Sequence, residues 1–186
     1  MRALLDTHAF LWWVLDDPRL SVSSRRFIEE PANEVLISAA TGYEIALKSM
    51  IGRLVEAYAD ERGIDLCSHG SWTVKERGVE RGAEADECYV LGTHEPDRPD
   101  LAIEVVWTSG GLDKLDAYRG LLVREVWFWT DGQLTVHELQ GDGYVARAGS
   151  LLLPGLDLAE VARFATRTDQ SQALREFRAG LRRDAP

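Results

Sequence analysis

The sequence predicts an α/β protein, and three observations carry that prediction. The apolar, partly β-branched run Leu101–Val106 is typical of a buried strand. The segments Glu125–Trp129 and Gln133–Leu139 flank an Asp-Gly pair, which is a strong hairpin signal. Apolar residues recur at roughly helical spacing over Tyr43–Arg62, which indicates one long helix ended by Gly63.

The first forty residues predict two strands separated by helices. Strands are expected at Ala3–Leu5 and Val35–Ser38, with helices at Phe10–Leu15 and Ser21–Glu30 between them. A serine caps the second of these helices, and the segment Pro31-Ala32-Asn33 ends it. Strand–helix–strand alternation favours a parallel pair joined by a right-handed crossover.

The rest of the chain predicts further strands followed by two closing helices. Strand patterns cover Asp65–Ser68, Ser71–Lys75, Glu87–Leu91 and Tyr144–Arg147, a loop covers Thr93–Pro99, and helical patterns cover Asp113–Gly120, Asp157–Ala165 and Gln170–Leu181. The strand Val126–Trp129 is apolar on both faces. It therefore lies either in the centre of the sheet or with one face against a partner subunit.

Composition sets bounds on the class of protein. The 186 residues are 45% hydrophobic, which indicates a globular chain long enough for one core or two small ones. The net charge of −10 suits nucleic-acid binding only where contacts are local. Two cysteines, Cys67 and Cys88, indicate reduced core residues, and the four histidines lack the spacing of a zinc site. The sequence has neither a signal peptide nor a membrane-spanning run, so a cytoplasmic protein is expected.

Two carboxylates and a lysine stand out around the predicted strand 101–106. Asp100 and Glu104 flank apolar residues, and Lys114 follows ten residues after the glutamate. Charged groups in a buried strand are costly unless something pairs with them, and a divalent cation would do so and activate a water. The alternative is a pair of solvated strand-end acids and an ordinary surface lysine.

The surroundings of these residues resemble a known family. Segments Ala83–Tyr89, Arg98–Leu115 and Arg124–Trp129 are similar, in order and spacing, to the Uma2 family of restriction-endonuclease-like proteins in the PD-(D/E)xK nuclease superfamily. The similarity runs from about Arg53 to about Arg183.

That resemblance implies a fold, a reaction and a set of residues. It implies a PD-(D/E)xK core with a mixed sheet, and cleavage of DNA with Mg²⁺ or Mn²⁺. It implies Asp86, Asp100 and Glu104 as metal ligands and Asp100, Glu104 and Lys114 as the catalytic residues. The superfamily lysine expected two residues after the glutamate is Val106 here, and Lys114 on the following helix takes its place.

The start of the chain resembles a second family. The segments Leu4–Trp13, Asn33–Ala40 and Tyr43–Lys48 are similar to the beginning of a PIN domain, the fold of VapC-type ribonuclease toxins. The resemblance implies Asp6 and Glu44 as magnesium ligands, although the downstream acids of that family are missing. The alternative for Asp6 is a carboxylate that caps the next helix.

These resemblances predict a truncated PIN-like segment over residues 1–50 and an endonuclease domain over 51–186. The predicted function is a metal-dependent DNA endonuclease, with DNA favoured over RNA and a homodimer compatible with the pattern. The alternatives are a VapC-like ribonuclease acting through Asp6 and Glu44, and a fusion remnant without enzymatic activity.

Overall fold

The structure is a computed structural model that describes residues 1–70, 73–75, 82–92, 98–106 and 114–183. Predictions for Ser71, Trp72, the loop residues 93–97 and the helix start at Asp113 lie outside this part of the chain. The strands are β1 Arg2–Leu5, β2 Glu34–Ile37, β3 Leu66–Gly70, β4 Thr73–Lys75, β5 Gly82–Glu84, β6 Glu87–Leu91, β7 Leu101–Val105, β8 Glu125–Thr130, β9 Gln133–Gln140 and β10 Gly143–Arg147. The helices are α1 Thr7–Val14, α2 Val22–Glu29, α3 Ala39–Arg62, α4 Leu115–Gly120, α5 Leu158–Ala165 and α6 Gln170–Arg183.

The chain divides into two compact units, Met1–Leu47 and Lys48–Pro186. The boundary falls within α3. The first unit contains a two-stranded parallel sheet in which Leu4 of β1 pairs with Leu36 of β2, as the strand–helix–strand pattern predicts. Both leucines are exposed.

The second unit is built on a mixed six-stranded sheet of order β10-β9-β8-β7-β6-β3. Only β7 and β8 run parallel within it, and the other neighbouring pairs are antiparallel. This mixed α/β architecture confirms the predicted restriction-endonuclease-like fold class. The apolar strand β8 lies in the interior of the sheet, between β7 and β9, which explains why it is apolar on both faces.

Helices cover both faces of the sheet. On one face, Tyr118 of α4 packs in a buried cluster with Cys88, Ala102, Val126 and Phe128 from three successive strands. The opposite face meets α3 and α5, and α6 packs on α5. The part of α3 that belongs to the second unit buries seven hydrophobic residues: Met50, Ile51, Leu54, Val55, Ala57, Tyr58 and Ala59.

The β8–β9 hairpin turns at the predicted Asp-Gly pair. Asp131 and Gly132 both have positive φ, 49° and 82°, as a type I′ turn requires. One prediction is wrong: Cys67 is exposed on the edge strand β3, whereas Cys88 is buried as expected. Within the described residues, no helix combines the length and apolar character needed to cross a bilayer.

Candidate active site

The candidate site forms where β7 ends. All five residues of β7 are buried, and Glu104 has only 1% of its surface exposed. Its Oε2 accepts a hydrogen bond from Lys114 Nζ at 2.7 Å, and its Oε1 accepts one from the Tyr118 hydroxyl. The buried Glu104 carboxylate is therefore stabilised by two donors of the α4 region: Lys114 at the start of the helix and Tyr118 in its second turn.

Asp86 lies beside Glu104 because β6 and β7 are antiparallel. The residue immediately precedes β6, so it faces the end of β7. Its Oδ2 accepts a hydrogen bond from the Val105 N–H at 2.7 Å, and its Oδ1 is paired with Lys48 Nζ at 2.8 Å. The carboxylates of Asp86 and Glu104 and the ammonium groups of Lys48 and Lys114 therefore lie together where β7 ends and β6 begins.

Asp100 is not part of this cluster. It precedes β7 and therefore lies at the opposite end of the strand, about 13 Å from Glu104 for four residues of extended chain. Its Oδ2 accepts a hydrogen bond from the Leu91 N–H at 2.9 Å, and its Oδ1 lies 3.5 Å from Arg124. The expectation that Asp100 and Glu104 converge on a shared ion is wrong, because strand geometry separates residues four apart.

Burial and like charge act together on Glu104. Desolvation raises the pKa of this carboxyl, and the nearby Asp86 carboxylate raises it further. Lys114 and the Tyr118 hydroxyl oppose that rise in pKa. Burial and the Glu104 charge also raise the pKa of Tyr118, so its hydroxyl stays protonated and acts as a donor.

A second group of polar residues lies on the α3 side of β6. Burial and the charges of Glu56 and Asp86 raise the pKa of Glu87 to about 7, and Lys48 opposes them. The buried Tyr89 hydroxyl has no hydrogen-bond partner among the described residues. Gly52 of α3 fits against it because a Cβ there would lie 2.9 Å from the Tyr89 oxygen. A side chain at position 52 would require Tyr89 or α3 to shift.

In the first unit, Asp6 and Glu44, the acids that the resemblance to a PIN domain implied, have structural partners. Asp6 caps α1 by accepting a hydrogen bond from the Ala9 N–H at 2.7 Å. This contact agrees with the alternative prediction, in which Asp6 is a helix cap and not a metal ligand. Glu44 accepts one from the buried Thr7 hydroxyl at 2.7 Å. These contacts tie α1 to α3 and give both carboxylates a role in local structure.

Lys48 and Tyr118 were not predicted from the sequence as site residues. Tyr118 had a detectable signal, since it follows Lys114 by four residues, the spacing that places two side chains on one face of a helix. Lys48 had none, because it pairs with a residue 38 positions later in the chain.

The cluster offers carboxylate oxygens, the ligand type that a hard cation such as Mg²⁺ prefers, but it offers few of them. In the described part of the chain, no three His, Cys, Asp or Glu side chains are grouped to hold a metal ion. Asp86 and Glu104 supply carboxylate oxygens, and Mg²⁺ is commonly held by one or two carboxylates together with waters and substrate phosphates. The like-charged pair fits such a cation, which would relieve the repulsion that raises the pKa of Glu104.

The chain was also compared with known proteins. The model of the Uma2 family, whose description reads "Putative restriction endonuclease", matches residues 19–165, more than half of the chain. This match begins inside the segment that resembles a PIN domain, and that second resemblance stays a prediction. No curated protein matches the chain.

Proposed function

Because the chain belongs to the Uma2 family, we propose that it is a metal-dependent endonuclease that hydrolyses phosphodiester bonds of DNA. The family description indicates a nuclease, and the proposal adds the metal, the substrate and the residues. The observation that carries it is the buried Glu104 carboxylate, which lies beside Asp86 and is bound by Lys114.

Asp86 and Glu104 would hold the cation. When bound there, Mg²⁺ or Mn²⁺ supplies an activated water and neutralises charge that develops on the phosphate. Asp86 is fixed by the Val105 N–H, so its carboxylate stays beside the end of β7. Asp100 has no part in this proposal, because it lies at the other end of the strand.

Lys114 would change partner during binding. Its side chain is 49% exposed, whereas Glu104 is buried, so the ammonium can leave the carboxylate without losing hydration. Lys114 occupies Oε2 of Glu104, one of the oxygens that would hold the cation. Once released, the ammonium is free to pair with a phosphate oxygen and stabilise its developing negative charge.

Substrate choice follows from the family description and not from a visible binding surface. The chain carries a net charge of −10, so long-range attraction to DNA is weak and contacts must be local. The proposal does not extend to ribonuclease activity of the first unit, since Asp6 and Glu44 serve as helix cap and Thr7 partner there. A homodimer stays a prediction.

A nicking assay tests the proposal. Purified protein is incubated with supercoiled plasmid and with a labelled RNA of matched length, in Mg²⁺, in Mn²⁺ and in EDTA. We expect metal-dependent nicking of the plasmid, lost in Asp86→Asn and in Glu104→Gln. Glu160→Gln on α5, in a surface pair with Arg163, is the matched control and retains activity. Nicking that persists in EDTA, or in Glu104→Gln, would contradict the proposal.

A further inference from the structure

Lys48 is the cation of the candidate site that comes from α3. Its Nζ lies 2.8 Å from Asp86 Oδ1, and the two side chains are only 12% and 10% exposed. Ion pairs on protein surfaces are solvated and readily exchanged, whereas this one is largely withdrawn from water. Such a pair holds its geometry, because separating it leaves two poorly hydrated charges.

The Asp86 carboxylate is held at both oxygens. Lys48 binds Oδ1, and the Val105 N–H donates to Oδ2 at 2.7 Å. Val105 directly follows Glu104, so the second contact ties Asp86 to the strand end that carries the other carboxylate. The first contact fixes its orientation from the α3 side of the sheet.

Lys48 also offsets a local excess of negative charge. The acids whose charges bear on one another here are Glu56, Asp86, Glu87 and Glu104, and the cations are Lys48 and Lys114. Lys114 acts on Glu104, whereas Lys48 acts on Asp86 and on Glu87. Without Lys48, Asp86 and Glu87 would lose the cation that offsets their charges, and Lys114 would remain paired with Glu104.

We propose that Lys48 is a positioning residue of the nuclease site, which holds the Asp86 carboxylate in one orientation beside Glu104. This inference rests on the proposed function, since it assigns Lys48 a role in the same site. Lys48 touches a carboxylate that would hold the cation, and it acts on the reaction only through that carboxylate. It differs in this from Lys114, which is half exposed and would meet the substrate after release from Glu104.

The test separates turnover from metal binding and from folding. Lys48→Met removes the charge and keeps a long side chain, and Lys48→Arg keeps the charge. Arg53→Met is the matched control, because Arg53 is a cation on the same helix, five residues on and about 140° around its axis. For each protein we would measure kcat for plasmid nicking at saturating Mn²⁺, Mn²⁺ affinity by electron paramagnetic resonance, and Tm.

Lys48→Met is expected to lower kcat by about 10- to 100-fold, the usual effect of losing a contact that orients a metal ligand. Mn²⁺ affinity should fall less than kcat, since loss of the ammonium also strengthens the attraction of the carboxylates for a cation. Lys48→Arg should recover part of kcat, and Arg53→Met should match the wild type.

The outcomes distinguish this inference from the proposed function. Wild-type kcat in Lys48→Met, counted per Mn²⁺-binding molecule, would overturn the positioning role alone. A fall in Tm with unchanged kcat per Mn²⁺-binding molecule would show a purely structural role and overturn it as well. A wild-type protein that neither nicks DNA nor binds Mn²⁺ would overturn the proposed function, and the role of Lys48 with it.

Discussion

The Tyr118 hydroxyl donates a hydrogen bond to Oε1 of Glu104, whose other oxygen is bound by Lys114. This donor stabilises the ionised carboxylate and so lowers its pKa against the effect of burial. Because a carboxylate holds a cation only when ionised, Tyr118 tunes the pH range in which the site can work.

Replacing Tyr118 with Phe should therefore move the acidic limb of the pH–rate profile to higher pH. Loss of the donor raises the pKa of Glu104, and a larger fraction of the carboxyl is protonated at a given pH. The measurement is metal-dependent nicking between pH 5 and 9. Tyr144→Phe is the control, since it removes a hydroxyl that donates to the Val123 carbonyl instead. Equal shifts in the two variants would contradict the role of Tyr118.

Glu104→Gln should abolish nicking, and its Tm relative to that of the wild type should be higher at pH 8 than at pH 5. The folded protein raises the pKa of Glu104, so the ionised carboxylate costs stability, and the cost grows as pH rises through 4.5 and through the folded-state pKa. Thermal unfolding at both pH values checks this, with Glu160→Gln as the control.

Addition of Mg²⁺ should then shift the difference in Tm in favour of the wild type. Mg²⁺ is expected to raise the Tm of the wild type and not that of Glu104→Gln, because a ligand stabilises only the state that binds it. A gain in Tm of equal size in both proteins would place the cation elsewhere.

Asp100→Asn should retain metal-dependent nicking. Its carboxylate lies at the far end of β7, where it accepts the Leu91 N–H and lies near Arg124. The neutral amide keeps the acceptor for Leu91 and loses only the weak pairing with an exposed arginine. Asp86→Asn, the same chemical change at the candidate site, should lose activity. Inactive Asp100→Asn with wild-type Tm would return Asp100 to the catalytic set.

Glu125→Gln should lower the free energy of unfolding by about 2–3 kcal/mol. The substitution replaces one carboxylate oxygen, a hydrogen-bond acceptor, with an NH2 group that would face other donors. Four groups donate to this buried carboxylate: Trp127 Nε1, Ser150 Oγ, and the N–H groups of Leu151 and Leu152. Urea unfolding measures the loss. The exposed pair of Glu138 with Arg147 offers the comparison, and Glu138→Gln should change stability by less than about 1 kcal/mol.

His137 should make stability fall in mild acid. Burial lowers the pKa of its imidazole, and its Nδ1 finds no hydrogen-bond partner in the described part of the chain. In the unfolded chain His137 takes up a proton near pH 6.5, whereas in the folded protein it does so only at lower pH. The free energy of unfolding is therefore highest above pH 6.5 and declines as the pH falls toward the folded-state pKa. His137→Leu should flatten this decline in urea unfolding between pH 5 and 7.5. His8→Gln, at an exposed position, controls for loss of an imidazole, and an unchanged slope in His137→Leu would contradict the assignment.

Local patterns predicted the strands and the main hairpin, because alternation, β-branching and the Asp-Gly turn act over a few residues. The resemblance to the Uma2 family pointed to Glu104 and Lys114, which the structure brings together at 2.7 Å. Asp100 was misplaced for a physical reason. The sequence already predicted a strand here, and residues four apart on a strand lie about 13 Å apart, so the Asp100 implied by the resemblance does not meet Glu104.

Lys48 could not be found from the sequence. Its partner, Asp86, lies 38 residues away, and only the pairing of β6 with β7 and the packing of α3 on the sheet bring the two together. No spacing rule links a helix residue to a strand residue across such a distance. Contacts that assemble a site from several elements are decided by tertiary structure.

The contacts of the candidate site join residues 10, 14 and 19 positions apart, besides the pairing of Lys48 with Asp86. None of them can persist until the central strands have met, and contacts between distant segments form late and slowly. A chain still emerging from the ribosome would therefore carry the acids and lysines of the site without their convergence. On the proposed function, the nascent polypeptide has no assembled site until β8, residues 125–130, has been synthesised and has paired with β7.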